Sequence, residues 1–91
     1  MLTIEDCIAL SELTRDEIDA IAEEEHVPEI VALELGNYLL HLPGGVKRIR
    51  AIIRDDIAQA TARGDHRHAA KLRLVLQHFL AEHGHASRPA A

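Results

Sequence analysis

The chain has 91 residues, 47% of them apolar, and a formal net charge of −5 at pH 7. This length suits a single domain, and the apolar fraction excludes a disordered chain. The excess of acidic residues disfavours non-specific binding to nucleic acid or to an anionic membrane surface. No apolar run approaches the ~18 residues that cross a bilayer, so no membrane segment is expected.

Cysteine and aromatic residues are scarce. Cys7 is the single cysteine, which excludes an internal disulfide, and the first residues (MLTIEDCIAL) lack a basic leader. Together these features predict a cytoplasmic protein. Tyr38 and Phe79 are the only aromatic residues, so the core must consist of Leu, Ile, Val and Ala. A core of this size and composition favours packed helices that gain stability by association.

Capping signals and apolar repeats predict five helices and no strand. Thr3 and Thr14 are each followed three residues later by an acidic residue, which is the capping-box pattern. The predicted helices cover residues 4–11, 15–26, 28–41, 46–63 and 66–83. We expect a small all-α bundle, orthogonal or antiparallel, whose last two helices form a helical hairpin. Residues 1–83 would be one domain and 84–91 a flexible tail.

Helix three is apolar around most of its circumference, which predicts that it is the central helix. Ala32 and Gly36 are one turn apart, which favours a close approach to a neighbouring helix. Glu34, Asn37 and His41 form a narrow polar stripe. Two interpretations remain open. The stripe faces water, or it points inward to a polar site where Glu34 requires a cation or a histidine partner.

Seven histidines raise the question of a metal site. Glu23 and His26 have the i, i+3 spacing used by carboxylate-bridged di-iron bundles. Such a bundle needs two of these pairs on facing helices, so a homodimer would supply the second copy of Glu23 and His26. The alternative function is therefore an iron- or zinc-binding bundle that uses Glu23, His26, Glu34 and His41, within one chain or across a dimer interface. The competing interpretation makes residues 23–25 a solvated acidic face.

The remaining histidines carry weaker signals. We expect His66, His68, His78 and His83 to be structural or exposed to solvent. A histidine pair at positions 83 and 85 would bind stray zinc or nickel.

The start of helix four is basic. Lys47, Arg48 and Arg50 occupy its first turns and Arg54 follows, although the positive end of the helix dipole disfavours cations there. A negative group should therefore lie nearby. The acidic segment 23–29 of the same chain or of a partner subunit is the first candidate, and a small anion is the second.

Nucleic acid is not an expected partner. Residues 17–35 follow the apolar rhythm of a helix-turn-helix, but the second helix would present Glu29 and Glu34 to the phosphates and carries no basic side chain. An enzyme is not indicated either. The chain has no nucleophile–base pattern, phosphate-binding loop or metalloprotease motif, so an active site would have to be built by an oligomer.

Association is the functional property that the sequence favours most. Helix five has a second apolar stripe, formed by Ala70, Leu74 and Ala81. On helix four, Ile52 lies outside the main apolar face. This surplus predicts an interface, and a two-fold homodimer is the commonest form of association. The primary hypothesis is a small non-enzymatic interaction or regulatory protein that acts as a homodimer or as a partner-binding module.

Overall fold

The computed structural model describes residues 2–84 and forms the predicted all-α bundle, with five helices in that range. The helices are α1 (Ile4–Leu10), α2 (Arg15–Glu25), α3 (Glu29–Leu40), α4 (Gly45–Ala62) and α5 (His66–His83). Each boundary lies within one residue of its predicted position. The predicted tail lies outside the described residues except for Gly84.

Local side-chain caps begin α1 and α2 as the sequence indicates. The hydroxyl of Thr3 accepts the N–H of Asp6, and the carboxylate of Asp6 accepts the N–H of Thr3. Thr14 and Glu17 form the same reciprocal pair at the start of α2. Because each pair satisfies two free backbone donors, it sets the position where the helix begins.

In residues 2–84, three left-handed residues lie at the connections between helices: His26 after α2, Gly44 before α4 and Gly64 after α4. α2 ends at His26, whose φ is 56°, and the N–H of Val27 donates to the carbonyl of Ala22 at 3.1 Å. The α4–α5 turn contains Gly64 at φ 77°, after which Asp65 caps α5. α5 then returns along α4 in the predicted hairpin, which is the most extensive helix pair of the fold.

The central helix is α4, and the prediction that helix three occupies this place is wrong. α2 and α4 each pack against three other helices, and α4 takes part in the two most extensive pairs, with α5 and with α2. α3 packs mainly against α2 and α4. The difference follows from the apolar repeat of α4, which is longer than that of α3. The fully enclosed large core side chains include Ile18, Ile21, Ile49, Ile53 and Phe79.

The predicted close approach of α3 is confirmed at Gly36. A Cβ atom at this position would overlap Cδ1 of Leu13 and lie 3.2 Å from Cδ1 of Ile21. Ile52, in contrast, was expected to contribute to an exposed interface, but it is 5% exposed and belongs to the core.

Among residues 2–84, none of the helices combines the length and the apolar character that a membrane crossing requires.

Candidate functional site

A carboxylate–imidazole cluster lies where α2, α4 and α5 meet. It consists of Glu23 from α2, Asp56 from α4 and His68 from α5, and one potential ligand atom from each lies within 4.8 Å of the other two. Nε2 of His68 donates to the carboxylate of Glu23, at 2.8 Å from Oε1 and 2.9 Å from Oε2. The cluster therefore connects α2 to the α4–α5 hairpin.

The backbone around His68 is held by a local cap. The carboxylate of Asp65 accepts the N–H of His68 at 3.2 Å, which fixes the first turn of α5. The tight turn at Gly64 then places this first turn near the end of α2. Arg63 at the same turn lies 3.8 Å from Oε1 of Glu23.

Asp56 is the buried member of the cluster. Its side chain has no exposed surface, and neither of its carboxylate oxygens receives a hydrogen bond from the described residues. Burial raises the pKa of Asp56 to about 7, and a hydrogen bond from the protonated acid to Glu23 acts in the same direction. Two carboxylates contain no donor, so Glu23 can partner Asp56 only through a shared proton or a shared cation.

Further negative charge surrounds the cluster. Glu24 accepts a hydrogen bond from Nε2 of Gln59 at 3.2 Å, while its Oε1 is buried with no donor in the described chain. Burial, followed by the charge of Asp55, raises the pKa of Glu24. Glu23 itself contacts His68 and the guanidinium of Arg63. The arrangement is suited to binding a positive ion.

A second buried carboxylate, Glu17, stands apart from this cluster. Glu17 is 1% exposed, and its Oε1 accepts the N–H of Thr14 at 2.9 Å while Oε2 receives no donor from residues 2–84. Burial raises the pKa of Glu17, and the charges of His78 and His83 partly oppose this. Its capping role explains its presence in the interior.

The outward side of α3 carries an exposed apolar surface. At 100° per residue, Ile30, Val31, Glu34, Tyr38 and His41 fall within a sector of about 100°, which we call the outer face of α3. Ile30 and Val31 are each 42% exposed and Tyr38 is 63% exposed. Glu34 and His41 are exposed among them, so the polar stripe faces outward rather than into the bundle. The physical reason is that Ala32, Leu33 and Gly36 are the residues that α3 buries.

The four predicted metal ligands do not meet within one chain. Glu23 belongs to the cluster described above, whereas His26 is the exposed cap of α2. Glu34 and His41 lie on the outer face of α3. Within the described range, no group of three potential ligands contains His26, Glu34 or His41. Their joint use as ligands stays a prediction for a dimer interface.

Sequence reasoning missed Asp56 and His68 as members of a site. Asp56 carried a signal, because it follows Ile53 by three residues and precedes Ala60 by four, on the apolar face of α4. An acid at such a position is buried and must find a partner. His68 carried no signal, since only the packing of α5 against α2 brings it to Glu23.

Within residues 2–84, the predicted basic group at the start of α4 forms no ion pair. Lys47, Arg48 and Arg54 are exposed and Arg50 is half-buried. These four residues border a shallow depression at the start of α4. Arg48 also borders a depression with Glu24 and Glu25. No nitrogen of the four lies within 4.0 Å of a carboxylate oxygen of residues 2–84. The acidic segment 23–29 of the same chain therefore makes no direct ion pair with these four residues.

The predicted interface stripe on α5 is exposed. Ala70, Leu74 and Ala81 all face outward, and Leu74 is 67% exposed. Leu74 borders a depression beside Lys71 and His78. Leu74 is the one large apolar side chain exposed on the described part of α5, whereas the outer face of α3 exposes Ile30, Val31 and Tyr38.

Comparison of the chain with protein-family models, with curated proteins and with solved structures finds no match. The features of the structure that bear on function are the outer face of α3 and the cluster of Glu23, Asp56 and His68.

Proposed function

We propose that the protein is a helical self-association module that forms a homodimer through the outer face of α3. The observation that supports this most is the concentration of exposed apolar side chains. Seven large apolar residues are exposed in the described chain, and four of them are Ile30, Val31 and Tyr38 on α3 and Leu42, two residues after its end. Contiguous exposed apolar surface of this kind marks interaction sites.

The polar residues of the outer face favour an antiparallel pairing of two copies of α3. Glu34 and His41 are seven residues apart, or about 10 Å along the helix axis. A parallel pair would place Glu34 opposite the same carboxylate of the partner, which is repulsive. An antiparallel pair centred near Asn37 and Tyr38 would place each Glu34 opposite the partner's His41. The two-fold symmetry would repeat this contact, so the acid and the imidazole would both be paired.

A groove beside the outer face would extend the contact. It has a volume of about 280 Å³ and lies between the end of α3 and the start of α4. Leu35, Leu39 and Ile52 provide apolar walls, and Glu25 and Arg48 stand at its border. An apolar side chain from the partner would find an apolar surface there with charges at its edge, which is the usual composition of a protein interface.

The mass of the untagged protein in solution tests this proposal. Light scattering coupled to size exclusion should return twice the chain mass of 10.1 kDa. Tyr38→Glu and Val31→Glu should each return a monomer with unchanged helicity by circular dichroism, because each buries a charge in the interface. Leu74→Glu is the matched control and should remain a dimer, since it changes the α5 stripe. A wild-type monomer at every concentration would refute the proposal, and a monomer only for Leu74→Glu would move the interface to α5.

A charge exchange tests the antiparallel register. Glu34→Lys should weaken the dimer, because a lysine then opposes the partner's His41. Adding His41→Glu should restore the dimer, since each lysine would again meet an acid. If the double variant dissociates as readily as Glu34→Lys alone, the register is wrong.

Metal binding is the second candidate function. The specific observation in its favour is the cluster of Glu23, Asp56 and His68, which involves one of the four ligands that the sequence suggested.

A further inference from the structure

We infer that Glu23, Asp56 and His68 form a binding site for a divalent transition-metal ion of the zinc type. Each helix of the α2–α4–α5 junction contributes one ligand, and the three ligand atoms lie within 4.8 Å of one another. This site is separate from the outer face of α3, so it does not depend on the proposed dimer.

The buried carboxylate of Asp56 is the observation that points to a cation. It has no exposed surface and no donor to either oxygen among residues 2–84. A buried carboxylate is stable when a cation or a set of donors balances it. The neighbouring Glu23 adds negative charge instead of balancing it, while His68 provides a nitrogen lone pair that a metal can use.

The donor set selects the class of ion. One imidazole nitrogen and two carboxylate oxygens suit zinc and other first-row transition metals. Calcium and magnesium prefer sites made of oxygen ligands only, so His68 argues against them. Three protein ligands leave one position of a tetrahedral ion for water. To coordinate, His68 must be deprotonated at Nε2 and must exchange its hydrogen bond to Glu23 for the metal.

The surroundings of the site fit this role. Asp65 holds the backbone of His68 through the cap of α5. Arg63 lies 3.8 Å from Glu23 and would offset part of the remaining negative charge. A bound ion would join α2 to the α4–α5 hairpin, so its expected effect is an increase in thermal stability.

Zinc titration of the untagged protein tests the inference. The host is the His83→Gln/His85→Gln variant, because that histidine pair near the C-terminus would otherwise bind zinc by itself. Calorimetry should give one zinc ion per chain, and zinc should raise the melting temperature relative to protein in chelator. Cobalt(II) provides an independent readout, since its visible absorption reports a tetrahedral site. The monomeric Tyr38→Glu variant should bind zinc equally well, which separates this inference from the dimer proposal.

Substitutions in the site distinguish a ligand from a structural residue. Asp56→Asn should melt at a higher temperature than the host in chelator, because an amide can donate to Glu23, yet zinc should no longer raise its melting temperature. Asp56→Asn and His68→Gln should each weaken zinc binding at least about tenfold. His66→Gln is the matched control, two residues before His68 in the same turn of α5, and should bind as the host does.

Two results would overturn the inference. One is a host that shows no zinc binding while Asp56→Asn is stabilised, which would mean that Asp56 and Glu23 share a proton only. The other is zinc binding that persists unchanged in both Asp56→Asn and His68→Gln.

Discussion

The imidazole of His68 and the carboxylate of Glu23 are in contact although 45 residues separate them, with Nε2 2.8 Å from Oε1. This contact joins the end of α2 to the first turn of α5. It is partly exposed, with 28% of the His68 side chain and 38% of the Glu23 side chain accessible. Its contribution to stability should therefore be modest when no metal is bound.

A double-mutant cycle measures this contribution. Glu23→Gln and His68→Gln, alone and together, should give a coupling energy of about 0.5–1 kcal/mol in urea denaturation with chelator present. The matched control is the pair Lys71 and Asp16, which is 3.9 Å apart and more exposed. Its coupling should be close to zero. Equal coupling energies for the two pairs would mean that the contact between Glu23 and His68 stabilises the fold no more than the exposed pair does.

Glu17 should make stability depend on pH. Its folded pKa is raised by burial, so between the ordinary glutamate value of 4.5 and the raised value the folded state holds a proton that the unfolded state has lost. The free energy of unfolding should therefore fall as pH rises through this window and stay lower above it.

Glu17→Gln should remove this fall, because the amide has no proton to lose and its oxygen can still cap Thr14. Relative to wild type, the variant should gain roughly 1 kcal/mol between pH 4 and pH 8. Urea denaturation at both pH values gives the difference. The exposed substitution Glu82→Gln serves as the control, and an equal gain for that variant would exclude Glu17 as the cause.

The two glycines at the start of α4 should respond differently to alanine. A Cβ atom at Gly45 would overlap the carbonyl oxygen of Leu39, which belongs to the backbone and cannot move aside easily. Gly44 has open space around it but a φ of 77°. We expect Gly45→Ala to cost at least about 3 kcal/mol and Gly44→Ala about 1 kcal/mol.

Chemical denaturation of both variants tests this difference. Gly84→Ala is the control, because its Cβ would lie 3.7 Å from Cβ of Leu80, an ordinary contact distance. Similar losses at Gly44 and Gly45 would show that the chain between α3 and α4 can shift to make room.

His26→Gly should stabilise the protein. His26 ends α2 with φ 56°, a conformation that costs energy for any residue with a Cβ atom. We expect a gain of about 0.5–1 kcal/mol in the free energy of unfolding, measured by thermal or urea denaturation. Glu25→Gly, one residue earlier and still helical, should instead cost a similar amount. A loss in both variants would mean that the His26 side chain contributes a contact that outweighs the strain.

The helix boundaries could be read from the amino-acid order because their causes are local. Thr14 and Glu17 satisfy each other's backbone donors within one turn, and the glycine at 64 with the aspartate at 65 ends one helix and begins the next. Such interactions involve neighbours along the chain, so no knowledge of the packing is needed to predict them.

The environment of each polar side chain was decided by packing. α3 has apolar residues on most sides, so its sequence alone does not choose which side meets α2 and α4. The contact of Gly36 with Leu13 and Ile21 makes that choice, and it turns Glu34 and His41 outward. In the same way, the interior position of Asp56 was readable from its spacing, but its meeting with His68 was not. Which side chains on different helices meet is determined by how those helices pack. That packing depends on all the core residues together, so it cannot be read from the sequence of one helix.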